Sequence, residues 1–293
     1  MLPSPSAPPP ARPRVVASLL GAAQLPVALP CLASLLACAS EPTVLRLHDD
    51  GTLGTAERER LREALSVEGF VERREADERV GEALARYPNA ARFRAQHVLG
   101  LKLFDITLLA PGSTVLFCDS DVLFLRPFTG LFALPAGCSA LFMSDRQHAY
   151  TVRSWHRLRH PRLRLPGHVN TGVVVFDCRA FDLDFLEWFL GRPELHRPAV
   201  WAEQTAWALL GARSGSCRLM DAEQVAIPTA TAALSEEAVA LHFVSPVRHR
   251  LAEALAAVGR RSGERPVEIR HQAARACGAL SLFVGEVARR LAR

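Results

Sequence analysis

The apolar positions of this chain come in short runs rather than in one long stretch, and their spacing alternates between two kinds. VVASLL at 15–20 is a continuous apolar run of strand length. LPVALPCLASLLACAS at 25–40 suits a helix opening beside a proline, and TVLRLHDDG at 43–51 is a second strand running into a turn. Strand, helix and strand in that order predict a βαβ unit. Further on, the pattern predicts a helix at 55–65, a weak strand at 67–73 and helices at 78–87 and 93–109. STVLFCDSDVLFL then reads as an apolar strand interrupted by two aspartates, followed by strands in CSALFMSD, HVNTGVVVFD and, last, ALHFVSP. Alternation of this kind implies a layered α/β sheet. No repeat of fixed period is present.

The ends differ from the middle. Residues 1–13 (MLPSPSAPPPARP) are proline-rich with no apolar pattern and read as a disordered lead. Residues after Arg250 read as a helical tail, 251–293, whose amphipathic stretch from Val267 to Arg293 packs on a main domain at 14–250, with an arginine-rich face that is also suited to peripheral contact with a membrane. The apolar stretch at 12–40 follows Arg12 and Arg14 and ends in small residues, as a secretory signal does. Pro26 and Pro30 interrupt it, and removing it would delete the first strand and helix, so a cytoplasmic protein is the expectation.

Composition adds little beyond this. Of 293 residues, 49% are hydrophobic and 22% charged, enough to bury a substantial core. There are 35 Lys plus Arg against 30 acids, a net charge of +5; Lys102 is the one lysine, which leaves 34 arginines. No long unbroken basic run is present, and nucleic acid is not an expected partner. Seven cysteines, widely spaced and without a C-x-x-C, read as reduced, buried thiols.

The chemistry concentrates at Asp119 and Asp121. They follow an apolar strand at its carboxyl end, where open α/β sheets bind ligands. A spacing of two lets both carboxylates meet one hard cation. The alternative is a strand-end turn with two solvated acids, but two charges set between VLF and VLF favour a metal site. Downstream, Asn170 and Gly172 precede a buried strand in HVNTGVVVFD, Glu203 and Gln204 open an apolar helix in WAEQTAWALL, and His242 interrupts ALHFVSPVRH. Taken singly, these read as a turn residue, a first-turn acid and a core histidine.

Together with Asp119-Ser-Asp121 and the lead-in LKLFDITLL at 101–109, their order resembles that of nucleotide-sugar glycosyltransferases of the GT-A fold. The resemblance is to family 8, the retaining group of glycogenin and the bacterial lipopolysaccharide galactosyltransferases. It covers about Arg14 to Arg250. It implies a three-layer α/β/α domain with a mostly parallel central sheet and a retaining transfer of a hexose from a nucleotide-diphosphate sugar, UDP being the expected nucleotide, to a glycan, lipid or protein hydroxyl. It further implies that Asp119, Asp121 and His242 hold Mn²⁺, with Mg²⁺ as the other candidate. Lys102 and Arg248 would contact the donor, Asn170 its sugar hydroxyls, and Glu203 and Gln204 the reacting anomeric carbon, Glu203 standing where the family more often has Asp. Departures lie in the closing motif, where Ser245 replaces a glycine, Arg248 a lysine and His249 a proline, and in a first strand with no acid to contact the base.

Two other readings remain at this stage. One is an Asp-nucleophile phosphatase resembling the haloacid dehalogenases and using Asp119, although Leu123 stands where that motif has Thr or Val. The other is a sugar-nucleotide-binding protein without turnover. Between Asp145 and His168 lie six arginines (146, 153, 157, 159, 162, 164), four histidines (148, 156, 160, 168), Tyr150 and Trp155, a basic segment suited to an anionic glycan or lipid acceptor.

Overall fold

The computed structural model describes residues 12–110, 112–160, 163–261 and 263–291. The predicted proline-rich lead lies, up to residue 11, outside these residues, as does Arg162. The first βαβ unit forms as its pattern predicts, with β1 (Arg14–Leu20), α1 (Leu25–Cys38) and β2 (Thr43–Asp49). Pro26 sits in the first turn of α1, where no N–H is missed, so only Pro30 removes a helical hydrogen bond. Next come α2 (Thr55–Ala64), β3 (Val67–Val71), α3 (Arg73–Ala83), α4 (Pro88–Gln96) and α5 (Val98–Leu108).

Two predicted helices are corrected here. The one expected at 78–87 begins at Arg73, directly after β3, and ends at Ala83. The one expected at 93–109 is two helices, because His97 is extended (φ −136°, ψ 128°) and turns the chain between α4 and α5. Gly100 makes that turn possible, since a Cβ there would lie 2.6 Å from Arg94 Cα. The helices then lock through a buried fork, with Arg94 Nε and Nη2 donating to the two carboxylate oxygens of Asp105 at 2.6 and 2.8 Å.

The run through the aspartates is also two elements: β4 (Thr114–Cys118) and β5 (Val122–Phe124) belong to different sheets. The chain continues through β6 (Phe128–Thr129), β7 (Ala140–Ser144), α6 (Ser154–Arg159), β8 (Val169–Asp177), α7 (Leu183–Leu190), α8 (Pro193–His196) and α9 (Ala202–Arg213). It closes with β9 (Cys217–Met220), β10 (Val225–Ala226), β11 (Ala240–His242), α10 (Leu251–Arg261), β12 (Val267–Glu268), β13 (His271–Ala273) and α11 (Ala279–Leu291). The tail after Arg250 is helical at its two ends only. Between them β12 pairs with β6, and β13 forms an edge of the main sheet beside β9, so ALHFVSP is not the last strand.

The main sheet has eight strands in the order β13-β9-β7-β8-β4-β1-β2-β3, of which only β8 and β13 run against the rest. Both faces are buried, which is why these strands read as continuous apolar runs. Phe117, Phe142, Val174 and Phe176 point into one core with α3, α4, α5, α7 and α9. Leu141, Met143, Val173 and Val175 point into the other with α1 and α2. A three-stranded sheet, β10-β11-β5, closes the second face and packs between α1 and α10. Among the described residues no helix is long and apolar enough to cross a membrane.

Replacing Asp105 by Ala leaves the buried Arg94 guanidinium with Asp77, which accepts from its Nη1 at 2.7 Å, as its remaining acid partner and should lower the unfolding free energy by about 2–4 kcal/mol in urea titrations. The double variant Arg94→Met, Asp105→Leu should recover most of that loss; equal loss in both would show that packing, not the poorly paired charge, is responsible.

Candidate metal and donor site

The site is built where the chain steps from one sheet to the other. Asp119 leaves β4 with its backbone N donating to Gly172 O of β8 at 2.7 Å, and three residues later Val122 enters β5. The antiparallel register of β5 and β11 sets His242 opposite Val122, and Phe243 N donates to Asp121 O at 2.8 Å. Backbone pairing thus brings an imidazole beside two acids that lie more than a hundred positions away in sequence. Helix α1 holds β5 in place, the Ser34 hydroxyl accepting from Phe124 N at 2.9 Å.

His242 Nε2 lies 3.0 Å from Asp121 Oδ1 and 3.6 Å from Asp119 Oδ2. One ligand atom from each of the three residues falls within 4.8 Å of the others. The other ring nitrogen is committed, since His242 Nδ1 is 2.9 Å from Asn170 Oδ1. That oxygen also accepts from Gly172 N at 2.8 Å, which identifies it as the amide's acceptor end and assigns the imidazole proton to Nδ1. Nε2 is the atom turned to the acids: burial disfavours an imidazolium, but Asp121 and Asp119 outweigh it and hold the His242 pKa above the ordinary range, which favours a proton on Nε2 facing Asp121, and loss of that proton would free a lone pair for a metal. Gly172 is required for this approach, because a Cβ there would lie 2.4 Å from His242 Nδ1. One imidazole nitrogen and two carboxylates, oriented by an outer amide, are a donor set suited to a metal ion.

Fixed cations surround the acids. Lys102, on α5, is 4% exposed and donates to Asp119 Oδ2 at 2.8 Å, with Glu203 Oε1 3.6 Å away. Burial disfavours its ammonium, yet Asp119 and Glu203 hold its pKa above the ordinary lysine range. Arg248 Nη2 donates to Asp121 Oδ2 at 2.9 Å. Burial works against ionising Asp121 too, but His242 and Arg248 outweigh it and hold its pKa down at about 2. Glu203 is compensated too weakly to stay acidic. Burial pushes its pKa up to about 7, Lys102 opposing and Asp119 adding. Its Oε2 accepts from Thr171 Oγ1 at 3.1 Å while Oε1 has no hydrogen-bond partner.

Lys102, Asp119, Asp121, Asn170, Glu203, Gln204, His242 and Arg248 all lie on the wall of one cavity of about 830 Å³. Gln204 is anchored by Nε2 on Ala149 O at 2.9 Å, which leaves its Oε1 for a ligand. The altered closing motif fits as well: Ser245 to Arg250 form a 3-10 turn. Among the described non-glycine residues only His168 has positive φ, so Ser245 meets no backbone strain.

Sequence reading missed Asp145. It follows β7 as Asp119 follows β4, accepts from Asn170 Nδ2 at 3.4 Å and lines the same cavity. An acid at a strand's carboxyl end was its available signal. The basic segment divides. Arg146 lines the cavity, but Arg157 donates to Leu163 O and Arg159 lines a separate hollow of about 770 Å³ with Phe185 and Trp188.

No protein-family model and no curated protein sequence matches the chain. In structure it is similar to mouse xyloside xylosyltransferase 1, crystallised in its apo form, at 16% identity over 88% of this chain and 97% of that one, with a TM-score of 0.52. It is also similar to the glycosyltransferase GlyE of Streptococcus pneumoniae, at 14% identity over 84% of this chain and 60% of that one, with a TM-score of 0.50. At such identities the likeness speaks for architecture, and the architecture is the GT-A glycosyltransferase fold that the order of motifs implied.

Proposed function

We propose that the chain is a Mn²⁺-dependent, retaining glycosyltransferase that moves a hexose from a nucleotide-diphosphate sugar, UDP-linked in this reading, to a hydroxyl of a glycan, lipid or protein. The observation that carries it is the meeting of Asp119, Asp121 and His242 in a deep cavity that also holds two cations and an amide-rich wall. Asp119, Asp121 and His242 would hold the ion, which when bound supplies Lewis-acid neutralisation of a departing diphosphate. Lys102 and Arg248 add positive charge to the same leaving group, Arg248 through a planar fork suited to phosphate oxygens.

On the sugar side, Asn170 and Asp145 present an amide and a carboxylate for hydroxyl recognition. Gln204 Oε1 and the Glu203 carboxyl face the position where positive charge develops at the anomeric carbon. Glu203, buried and engaged by Lys102 and Thr171, is a stabilising group rather than a free nucleophile. Retention then proceeds by front-face attack of the acceptor hydroxyl, its proton passing to the departing diphosphate.

The phosphatase alternative requires its second aspartate to deliver a proton, and Asp121 is held ionised by His242 and Arg248. For the acceptor, the apolar wall of Leu99, Val200 and Ile227, with Arg146 beside it, supports a substrate with an apolar portion and an anionic group. All seven cysteines are unpaired, five of them buried, which supports a reducing, cytoplasmic setting.

Thermal-shift measurements should show UDP-sugars raising Tm only when Mn²⁺ is present, and GDP- and dTDP-sugars less. Asp121→Ala should abolish that shift. Gly172→Ala should leave the fold intact but weaken Mn²⁺ binding on the order of tenfold or more, because the new methyl displaces His242. A Mn²⁺-independent shift of equal size in all three proteins would refute the assignment.

Glu203 also predicts a pH dependence. The unfolded chain ionises it near 4.5 and the folded protein near 7, so folded stability falls as pH rises between those values. Glu203→Gln removes this cost and should stabilise the protein at pH 8 by up to about 3 kcal/mol, with little gain at pH 4, while lowering kcat. A gain that does not vary with pH would show that burial of the charge is not its origin.

A further inference from the structure

Helix α11 presents its apolar stripe outwards. Its i, i+3, i+4, i+7 set is Leu280, Phe283, Val284 and Val287, exposed by 76, 53, 60 and 38%, whereas the side chains turned to the protein are Leu282 and Glu286, at 1 and 7%. The helix is held by polar contacts: Glu286 Oε1 accepts from Ser154 N at 2.9 Å, and Ser281 Oγ lies 3.0 Å from His148 Nε2. Helix α6, packed alongside, adds Trp155 and Leu158 at 48 and 73% exposure. Six of the eight large apolar side chains exposed among the described residues therefore lie on these two helices; they are not scattered.

The charge around this face selects its occupant. Among the described side chains of residues 153–168 and 271–287, Arg153, Arg157, Arg159, Arg164 and Arg275 are the arginines and Glu286 is the one acid, and that acid is buried. Arg159, Arg164 and Arg275 are exposed. A two-fold contact with a second copy would set this basic fringe against itself. An acidic lipid surface covers the apolar stripe and supplies the counter-charge.

We propose that the α6–α11 face docks on an anionic bilayer, α11 lying in the plane of the interface. Its 13 residues are too few to span a membrane. The loop that carries His148 to α11 also lines the metal cavity with Asp145, Arg146, Gln147 and Ala149, so docking surface and cavity share one loop. The proposal stands apart from the chemistry of the cavity.

The test is co-sedimentation of the full chain with vesicles of phosphatidylcholine alone or with about one-third phosphatidylglycerol. Binding should be on the order of tenfold stronger to the anionic vesicles and should weaken in about 0.5 M salt. Phe283→Asp and, separately on α6, Leu158→Asp should each remove most of it with Tm unchanged. Equal binding to both vesicle types, binding that neither substitution alters, or a concentration-dependent dimer in light scattering that both substitutions dissociate would each overturn the proposal.

Discussion

The arrangement depends on the antiparallel pairing of β5 with β11. Asp119 and Asp121 sit on the step between two sheets, one at the end of β4 and the other at the start of β5. His242 joins them because the ladder sets it opposite Val122. A slip of one residue would turn the imidazole to the opposite face, where α1 and α10 pack, and would leave two acids without their third partner. Because β5 is only three residues long, its register relies on Ser34 and Cys38 of α1, both of which contact Phe124. An element far from the chemistry in sequence therefore determines its geometry.

Electrostatics adds a second constraint. Three carboxyl groups, Asp119, Asp121 and Glu203, are drawn out of water with Lys102, His242 and Arg248 as their counter-charges. Buried charges of one sign are tolerated only when paired with good geometry. Asp121 satisfies this and stays ionised, whereas Glu203, with one oxygen unpartnered, does not. The acids thus differ in proton affinity although they share a cavity, and different environments are what let chemically similar groups take different roles.

The basic insertion at 145–168 has two sides. Its start faces the cavity through Asp145 and Arg146, and its middle forms α6 against α11. Arginines that look equivalent in sequence therefore serve different surfaces: Arg146 lines the cavity, whereas Arg157 and Arg159 lie on α6 away from it.

Local pattern was enough for the first βαβ unit, the apolar strands of the central sheet and the acid pair at the end of β4, because each depends on periodicity or strand-end position within a few residues. The order of Asp119, Asn170, Glu203 and His242 in the chain by itself resembles that of the GT-A fold. Other features depended on contacts between distant parts of the chain. The break at His97 depends on Gly100 meeting Arg94, the division of VLFCDSDVLF on a second sheet whose partner strand lies past residue 240, and β13 on an open edge beside β9. Asp145 and the outward stripe of α11 belong to the same group. Amphipathicity states that a helix has an apolar face, but which way that face turns is decided by the polar anchors Glu286 and Ser281, whose partners Ser154 and His148 lie more than a hundred residues away.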